Sequence, residues 1–417
     1  MNPWPFIRAA LARYRFSALA FVLLVAAGVT LSVAIVSQER ALRTGSARAA
    51  DKFDLIVAPP GSRTDALLAG VYLRPGSSQL LAPAFSAALL NDTRASFVSP
   101  LAFGDSHRGM PVVGVTAALV DHLSAGDPAG AGERGNLAEG RGFVTRGEAV
   151  VGSASRLKVG ERFHPAHGVH HKGDTHAGDD ALDAHEAQLT VVGRMRPTGS
   201  PWDRAVLVPV EFVWETHRLS GGHAPGSTRL GPPFDAAHVP GIPAAVVRTA
   251  NLAEAYKLRR AFTGLESMAF FPAEALLQLY ALLGDVRQLM NLLSIVTQAL
   301  VLLSIIASVF ILFRLLMPQF VTLRALGAPR RYVFAIAWGF TAVLIGLGVL
   351  LGMAGGYALS FGISSWLAHL TGVSLQPRLG QSEVLLAVGF LVIGLMLAAL
   401  PAWRLQRLPL ARALKDY

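Results

Sequence analysis

Apolar residues are concentrated in four long runs, and the segments between them are much more polar. The runs cover residues 16–36, 289–313, 332–361 and 384–402, and their interiors contain no Asp, Glu or Lys. A helix needs about 20 largely apolar residues to cross a bilayer, and lipid offers the backbone no hydrogen-bond partner outside a helix or a closed barrel. The pattern therefore predicts four transmembrane helices, with 250 or so residues between the first and the second.

The first run is longer than the core of a signal peptide, which has about 7–15 residues. An Ala-x-Ala sequence at 47–49 resembles a cleavage site, but it lies well beyond the end of the run. We therefore expect an uncleaved anchor.

Basic residues flank the runs unevenly, which predicts the orientation. They precede the first run, separate the second from the third and follow the fourth: Arg8, Arg13, Arg15, Arg314, Arg324, Arg330, Arg331, Arg404, Arg407, Arg412 and Lys415. The link between the third and fourth runs contains only Arg378. We expect residues 1–15, 314–331 and 403–417 to be cytoplasmic, 37–288 and 362–383 to be extracytoplasmic, and the chain to lie in the cell inner membrane.

Composition supports a membrane protein. Hydrophobic residues make up 52% and charged residues 15% of the chain, against roughly 25% charged residues in a soluble domain. The mean hydropathy is +0.45. The net charge is +10, and much of the basic charge lies beside the apolar runs. We therefore expect the lipid bilayer as a partner and no nucleic acid. The absence of cysteine excludes disulfides and a cysteine nucleophile.

Residues 37–288 have the pattern of an α+β domain without a regular βαβ repeat. Short apolar or alternating segments predict strands at 51–57, 112–115, 149–152, 189–192, 205–210 and 244–247. Helical spacing predicts helices at 66–71, 83–90, 252–262 and 273–283. A Gly- and Pro-rich loop is expected at 220–243, and residues 36–50 and 272–287 are expected to extend the first two spans as stalk helices.

Six of the twelve histidines lie in a polar insertion at 164–186, with acidic residues between them: His164, His167, His170, His171, His176 and His185. Imidazole and carboxylate are ligands for zinc and other divalent transition metals. Two other interpretations stay open, namely a solvated loop that binds metal only adventitiously and a pH sensor.

Small and polar residues mark two of the spans. Gly348, Gly352 and Gly356 recur every four residues, which predicts close packing of another helix, although glycine is common in membrane helices generally. Asn291, Ser294 and Gln298 share one face of the second span. This face either lines a pathway or bonds to a partner helix.

The segment between the second and third spans predicts a short amphipathic helix whose apolar face contains Phe320, Leu323 and Leu326. Gly327 would end it, and Pro329 would begin the next segment. Such a helix at a membrane surface binds either the lipid interface or a groove on a soluble protein.

Sequence motifs for catalysis are missing. The chain contains no Gly-Lys pair and hence no P-loop, and it has neither a Gly-x-Ser-x-Gly nor a His-Glu-x-x-His motif. We therefore expect no enzyme activity and no nucleotide on this chain.

Several segments, taken in order, resemble the FtsX/MacB-type ABC transporter permeases. The most specific are Leu-Arg-Ala-Leu-Gly-Ala-Pro-Arg-Arg at 323–331 and the closing motif from Pro401-Ala402 to Ala413-Leu414. Segments 137–141, 148–152 and 157–160 resemble the MacB-type periplasmic core, and 53–57 and 197–205 resemble the signature of a subgroup.

The resemblance implies a membrane α-helical fold with four spans and an extracytoplasmic α+β domain of the MacB/FtsX kind. It implies a homodimer that docks a separate cytoplasmic ABC ATPase, which binds the ATP, and that works by mechanotransmission. The ATPase would dock on the segment 317–331, through Phe320, Leu323, Arg324, Leu326, Gly327, Pro329 and Arg330.

A periplasmic binding or adaptor protein is a further expected partner. The first functional hypothesis is a permease that acts on an extracytoplasmic cargo, namely a lipoprotein, peptide, drug or metal complex, and only the histidine segment favours the metal-related version. The alternative is a signalling or scaffold protein in which the ATPase drives an envelope partner such as a cell-wall hydrolase.

Overall fold

The structure, a computed structural model, describes residues 2–74, 79–125, 137–168, 187–282, 284–371 and 380–407. In chain order its elements are α1 (Trp4–Arg13), α2 (Arg15–Ala50), β1 (Leu55–Ala58), α3 (Arg63–Gly70), α4 (Pro83–Leu90), β2 (Ala95–His107), β3 (Met110–Val115), α5 (Ala117–Ser124), β4 (Glu139–Gly140), β5 (Glu148–Val151), β6 (Arg162–Phe163), β7 (Ala166–His167), β8 (Leu189–Arg194), β9 (Val206–Pro209), α6 (Val210–Thr216), β10 (Ala244–Thr249), α7 (Leu252–Ala261), β11 (Met268–Phe270), α8 (Pro272–Leu282), α9 (Gly284–Ala325), α10 (Arg330–Thr371) and α11 (Gln381–Arg407).

These elements form two compact units. The helical unit contains the chain up to Arg43, α9, α10 up to Trp366, and α11. The sheet unit contains Thr44–Leu283, and therefore all the strands and the last turns of α2, together with the end of α10 from Leu367.

Three helices in the described part of the chain are long and apolar enough to cross a membrane, judged by length and composition. They are Arg15–Ala50, Arg330–Ala368 and Gln381–Leu400. A shorter apolar stretch, Ile295–Ile311, lies within α9. The predicted combination of apolar spanning helices with a mixed sheet domain is confirmed, and the count of four spans stays a prediction.

The helices extend beyond the predicted spans. α9 does not end near residue 313 but continues to Ala325, with Pro318 inside it. The helix predicted through Phe320 and Leu323 is therefore the end of α9, and it stops just before Gly327, where the sequence predicted its end. α10 likewise continues to Thr371, so residues 362–371 of the predicted outer link are helical. Apolar residues recur at helical spacing through these extensions. Their packing favours continuation of each helix beyond the polar residues at which the predicted spans end.

The sheet of the sheet unit has the strand order β11-β1-β10-β2-β3-β9-β5-β8-β4, with β7 on β2 and β6 on β8. The pairs β3/β9 and β5/β8 are parallel, and the other pairs are antiparallel. Such a mixed sheet accords with the predicted α+β class.

Both faces of the sheet are covered by apolar layers. In β1, Leu55 and Val57 face one layer while Ile56 and Ala58 face the other, and all four are buried. Side chains alternate between the faces of a strand. A strand buried on both faces therefore has the continuous apolar sequence seen here.

Some elements of the sheet unit differ from the sequence predictions. β2, the longest strand, was not predicted, and neither were α5 and α6. The insertion predicted as a solvated loop begins within the sheet, because β6 and β7 are paired strands and Phe163 is buried. The segment 220–243 has no helix or paired strand before the isolated bridge at Ile242.

Candidate functional site

The turn between α9 and α10 is closed by backbone hydrogen bonds. The Leu326 N–H donates to the Thr322 carbonyl and the Ala328 N–H to the Leu323 carbonyl, both at 3.0 Å. Gly327 has a φ of +91°, a left-handed conformation that favours glycine at a helix C-terminus. The Leu-Gly-Ala-Pro sequence therefore makes a sharp reversal between two long helices.

The residues predicted to contact an ATPase lie in different environments. Phe320 is 1% exposed and packs in the core of the helical unit, and Leu323 is half-buried against the same core. Leu326 at the tip is 81% exposed. The others lie around the tip: Arg324 is half-buried, and Gly327, Pro329 and Arg330 are exposed. Of the three predicted apolar contacts, Phe320, Leu323 and Leu326, only Leu326 has a highly exposed side chain.

The three predicted packing glycines of α10 lie against three valines of α2. A methyl group added to Gly348 would lie 2.7 Å from Cβ of Val25. A methyl group added to Gly356 would lie 2.7 Å from Cβ of Val33. Between these two contacts, Gly352 lies against Val29. Cβ atoms do not approach so closely, so the backbones are in contact here because the side chains are absent.

Polar contacts continue this interface towards the end of the span. The Thr30 hydroxyl donates to the Gly352 carbonyl at 3.2 Å, and the Ser364 hydroxyl donates to Oε1 of Gln38 at 3.2 Å. α2 and α10 are thus joined along most of their apolar lengths. In the second predicted span, the Thr297 hydroxyl bonds to the Leu293 carbonyl of its own helix.

Within the sheet unit, the last turns of α2 bond to α8. The Ser46 hydroxyl pairs with the Tyr280 hydroxyl, and the Tyr72 hydroxyl donates to the Ser46 carbonyl at 3.2 Å. Burial and the neighbouring Tyr280 raise the pKa of Tyr72 to about 12. The two helices that lead from the sheet unit towards α9 and the first span are therefore tied together.

Two of the sequence signatures meet in the sheet unit. The Gly152 N–H donates to the Ala205 carbonyl at 2.9 Å, and a methyl group at Gly152 would lie 2.3 Å from the Asp203 carbonyl oxygen. The Asp203 carboxylate accepts hydrogen bonds from the Thr198 N–H at 2.7 Å, the Thr198 hydroxyl at 2.9 Å and the Gly199 N–H at 2.8 Å. These contacts give both signatures a structural role in the sheet unit.

Only two of the six predicted metal-binding histidines belong to the described residues. His164 is on the surface, and its backbone carbonyl contacts Nδ1 of His107 at 3.1 Å. His167 is in β7, close to other polar side chains. His170, His171, His176 and His185 lie outside the described residues.

His167 belongs to a three-residue cluster with Asp105 and His217, which the sequence did not suggest. Nδ1 of His167 lies 3.3 Å from Oδ1 of Asp105, and Nε2 of His217 lies 3.5 Å from the same oxygen. The side chain of Asp105 is fully buried, whereas His167 is about half exposed. The two imidazole rings are 5.0 Å apart at their centroids.

Three separate elements position this cluster. Asp105 lies in β2 beside a bulge between Ala102 and Asp105, and bulges commonly re-aim side chains near sites. His167 is paired directly across from it in β7. His217 caps the C-terminus of α6. The cluster thus depends on long-range pairing that no local sequence pattern reveals.

Comparisons with known proteins bear on the C-terminal half. The family model described as the FtsX-like permease C-terminal domain matches residues 291–410. This segment includes most of α9 and all of α10 and α11, together with the turn around Gly327. A search of curated proteins found no match to this chain.

The matched permease domain and the long apolar helices both indicate a membrane protein. Proteins of this family are membrane components of ABC transporters rather than enzymes, and the family implies a separate cytoplasmic ABC ATPase as partner. Residues 291–410 therefore form an FtsX-like permease C-terminal domain, which supports the resemblance of the chain to ABC transporter permeases.

Proposed function

We propose that this chain couples ATP hydrolysis on a separate cytoplasmic subunit to a change of shape in an extracytoplasmic sheet unit. In this mechanism the substrate does not pass between the helices. The protein has two conformations, and the nucleotide state of the ATPase biases the balance between them.

The observation that carries the proposal is the continuity of α2. This single helix of 36 residues includes the first apolar span, and its last residues, Ala49 and Ala50, are buried in the core of the sheet unit. At 1.5 Å per residue it is about 54 Å long. A continuous helix whose end is fixed in a folded core moves with that core, so displacement of the span would displace part of the sheet unit.

The turn between α9 and α10 is suited to receive the movement. Leu326 offers an exposed apolar side chain, and Arg330 and Arg331 beside it are exposed cations. An apolar tip with basic neighbours fits a hydrophobic groove with an acidic rim on a soluble partner. The close contact between α2 and α10 at Gly352 then links this turn to the stalk.

We further propose that two copies of the chain act together, with both termini in the cytoplasm. Many large apolar side chains of α9, α10 and α11 are exposed in one copy, among them Leu303, Leu350, Phe361 and Met396. Lipid and a second copy are the two environments that suit them.

Cysteine labelling tests the orientation directly, because the chain contains no cysteine of its own. Leu265, which is 97% exposed in the sheet unit, and Leu326 are replaced singly by cysteine. A membrane-impermeant maleimide applied to intact spheroplasts should label L265C, and it should label L326C only after the membrane is opened. The reverse pattern would exclude the proposal.

Photo-cross-linking tests the coupling role. A benzoylphenylalanine at position 326 should cross-link to an ABC ATPase in membranes, whereas the same residue at position 265 should not. In reconstituted complexes, Leu326→Asp should reduce the ATPase activity that the permease confers. If neither the cross-link nor the activity depended on position 326, the turn would not be the docking element.

A further inference from the structure

We propose that Asp105, His167 and His217 form a binding site for an exchangeable divalent transition metal of the zinc class. The proposal concerns the sheet unit and goes beyond the coupling function. The sequence predicted a metal site made of the histidines in the insertion 164–186. The site proposed here takes only His167 from that set, and its other two ligands, Asp105 and His217, come from β2 and the end of α6.

The spacing of the ligand atoms fits a tetrahedral ion. Zinc binds imidazole nitrogen and carboxylate oxygen at about 2.0–2.1 Å, and tetrahedral angles then separate neighbouring ligand atoms by about 3.3 Å. The two measured separations from Oδ1 of Asp105, to His167 and to His217, are 3.3 and 3.5 Å. One ligand atom from each residue lies within 4.8 Å of the other two. An ion would therefore need only small side-chain rotations.

The tautomer of His217 is fixed in the form that a metal requires. Its Nδ1 lies 2.8 Å from the Val213 carbonyl oxygen, which can only accept a hydrogen bond, so Nδ1 carries the proton. In the neutral ring, Nε2 then has its lone pair directed towards the Asp105 carboxylate. A histidine ligand commonly donates its other N–H to a backbone carbonyl in this way.

Charge also favours a cation at this position. Asp105 is fully buried, and a buried carboxylate requires a compensating positive charge or strong hydrogen bonds. Two neutral imidazoles and one carboxylate would leave one positive charge on a bound divalent ion. An imidazolium–carboxylate ion pair without metal is the competing explanation, and the test below separates the two.

A cavity beside the cluster suits an exchangeable ion. Such an ion needs a route for its own entry and for an incoming donor, whereas structural zinc sites are closed by four protein ligands. His217 also lines a cavity of about 390 Å³ with Leu80, Trp214, Leu219 and Pro243. A side chain at Gly104 would lie 2.7 Å from Nε2 of His217, so the glycine keeps the approach to this nitrogen open.

The test uses full-length detergent-purified protein in which His170, His171, His176 and His185 are replaced by alanine, which removes binding by the histidine-rich segment. After treatment with a chelator, Zn²⁺ affinity is measured by competition with a chromogenic chelator. We expect one site per chain. In this background, His167→Ala, His217→Ala and Asp105→Asn should each weaken binding by at least about tenfold, because loss of even an outer-shell partner costs 10–100-fold.

Two matched controls should keep the affinity of the background. His164→Ala removes a histidine from the same strand-rich segment, and His238→Ala removes a histidine that pairs with Asp235 at 2.8 Å and does not belong to the cluster. His167 is half exposed, so His167→Ala should leave thermal stability without zinc unchanged, which separates loss of a ligand from misfolding. Co²⁺ in place of Zn²⁺ should give the strong visible absorption of a four-coordinate site.

The proposal is overturned if the background protein binds no Zn²⁺, if the three ligand variants bind it as well as the controls do, or if Co²⁺ gives only a weak octahedral spectrum. The first of these results would favour a metal-free role for the cluster. None of these outcomes depends on the ATPase, so failure of the metal site and failure of the coupling function are distinguishable.

Discussion

The guanidinium of Arg40 in α2 lies 2.7 Å from the carboxylate of Glu383 in α11, whose side chain is fully buried. The Gly380 N–H also donates to this carboxylate, at 2.9 Å. A side chain at Gly380 would collide with the guanidinium. The pair therefore fixes the end of α11 against α2 within the helical unit.

Removal of the cation should destabilise the helical unit. Arg40→Gln leaves the buried Glu383 without its guanidinium, and the expected loss is about 2 kcal/mol, less than for a fully buried pair because Arg40 is 31% exposed. Unfolding in mixed detergent micelles, followed by tryptophan fluorescence, measures the change. Arg40→Gln combined with Glu383→Gln should recover much of the loss. Equal losses in the single and double variants would show that the ion pair is not the cause.

Substitution of Gly352 should disrupt the contact between α2 and α10. In Gly352→Ala the new methyl group would lie 2.5 Å from Cβ of Val29, and overpacking of this kind costs about 1–3 kcal/mol. Gly362→Ala on the same helix is the control, since no atom lies within 4 Å of the added methyl group. It should be neutral or slightly stabilising, because alanine favours helix over glycine. Similar losses in both variants would contradict backbone contact at Gly352.

Asp203 should stabilise the segment 197–205 through its three hydrogen bonds. Asp203→Ala leaves the Thr198 and Gly199 N–H groups without an acceptor, at an expected cost of about 3 kcal/mol. Hydrogen exchange at these two amides should accelerate, while Asp235→Ala, which removes an exposed carboxylate, should leave them protected. Unchanged protection in Asp203→Ala would instead favour a binding role for the signature.

Alkaline pH should weaken the contact between Tyr72, which follows α3, and the last turns of α2. The pKa of Tyr72 is raised to about 12, against about 10 in an unfolded chain. Between these values the folded state retains a proton that the unfolded state has lost, so the stability from Tyr72 is complete below about pH 10 and falls as the pH rises to about 12. Thermal unfolding of the wild type and of Tyr72→Phe should therefore converge over this interval. A constant difference would show that Tyr72 titrates normally.

Much of the fold follows from local patterns. The apolar runs predict α2, α10 and α11, and Pro83 at the start of α4 coincides with the predicted boundary. The second apolar run was predicted to end at residue 313, before Arg314, whereas α9 continues through Pro318 to Ala325, with Phe320 buried in the core of the helical unit. β2 was not predicted, since Pro100 and Gly104 interrupt its pattern and its pairing with β10 and β3 stabilises it.

The candidate site could be predicted only in part. His167 stood out because histidines cluster around it in the sequence. Asp105 gave a weak signal, an acidic residue within an apolar segment, and His217 gave none. Asp105 is 62 residues from His167 in the sequence (167 − 105), and His217 is 50 residues from it (217 − 167). The pairing of β7 with β2 and the position of α6 bring the three side chains together. Such distances are set by tertiary structure.

Phe320 in the last turns of α9 and Leu326 in the turn that follows should respond differently to truncation. Phe320 is 1% exposed in the core of the helical unit, so Phe320→Ala should reduce stability by about 3 kcal/mol or more. Leu326 is 81% exposed, and Leu326→Ala should change stability by less than about 0.5 kcal/mol. ATP turnover by the reconstituted complex should nevertheless fall in Leu326→Ala, because we propose that the exposed tip is the apolar anchor for the ATPase. If the tip variant kept full turnover while Phe320→Ala lost turnover in proportion to its folded fraction, the docking surface would have to lie elsewhere on the helical unit.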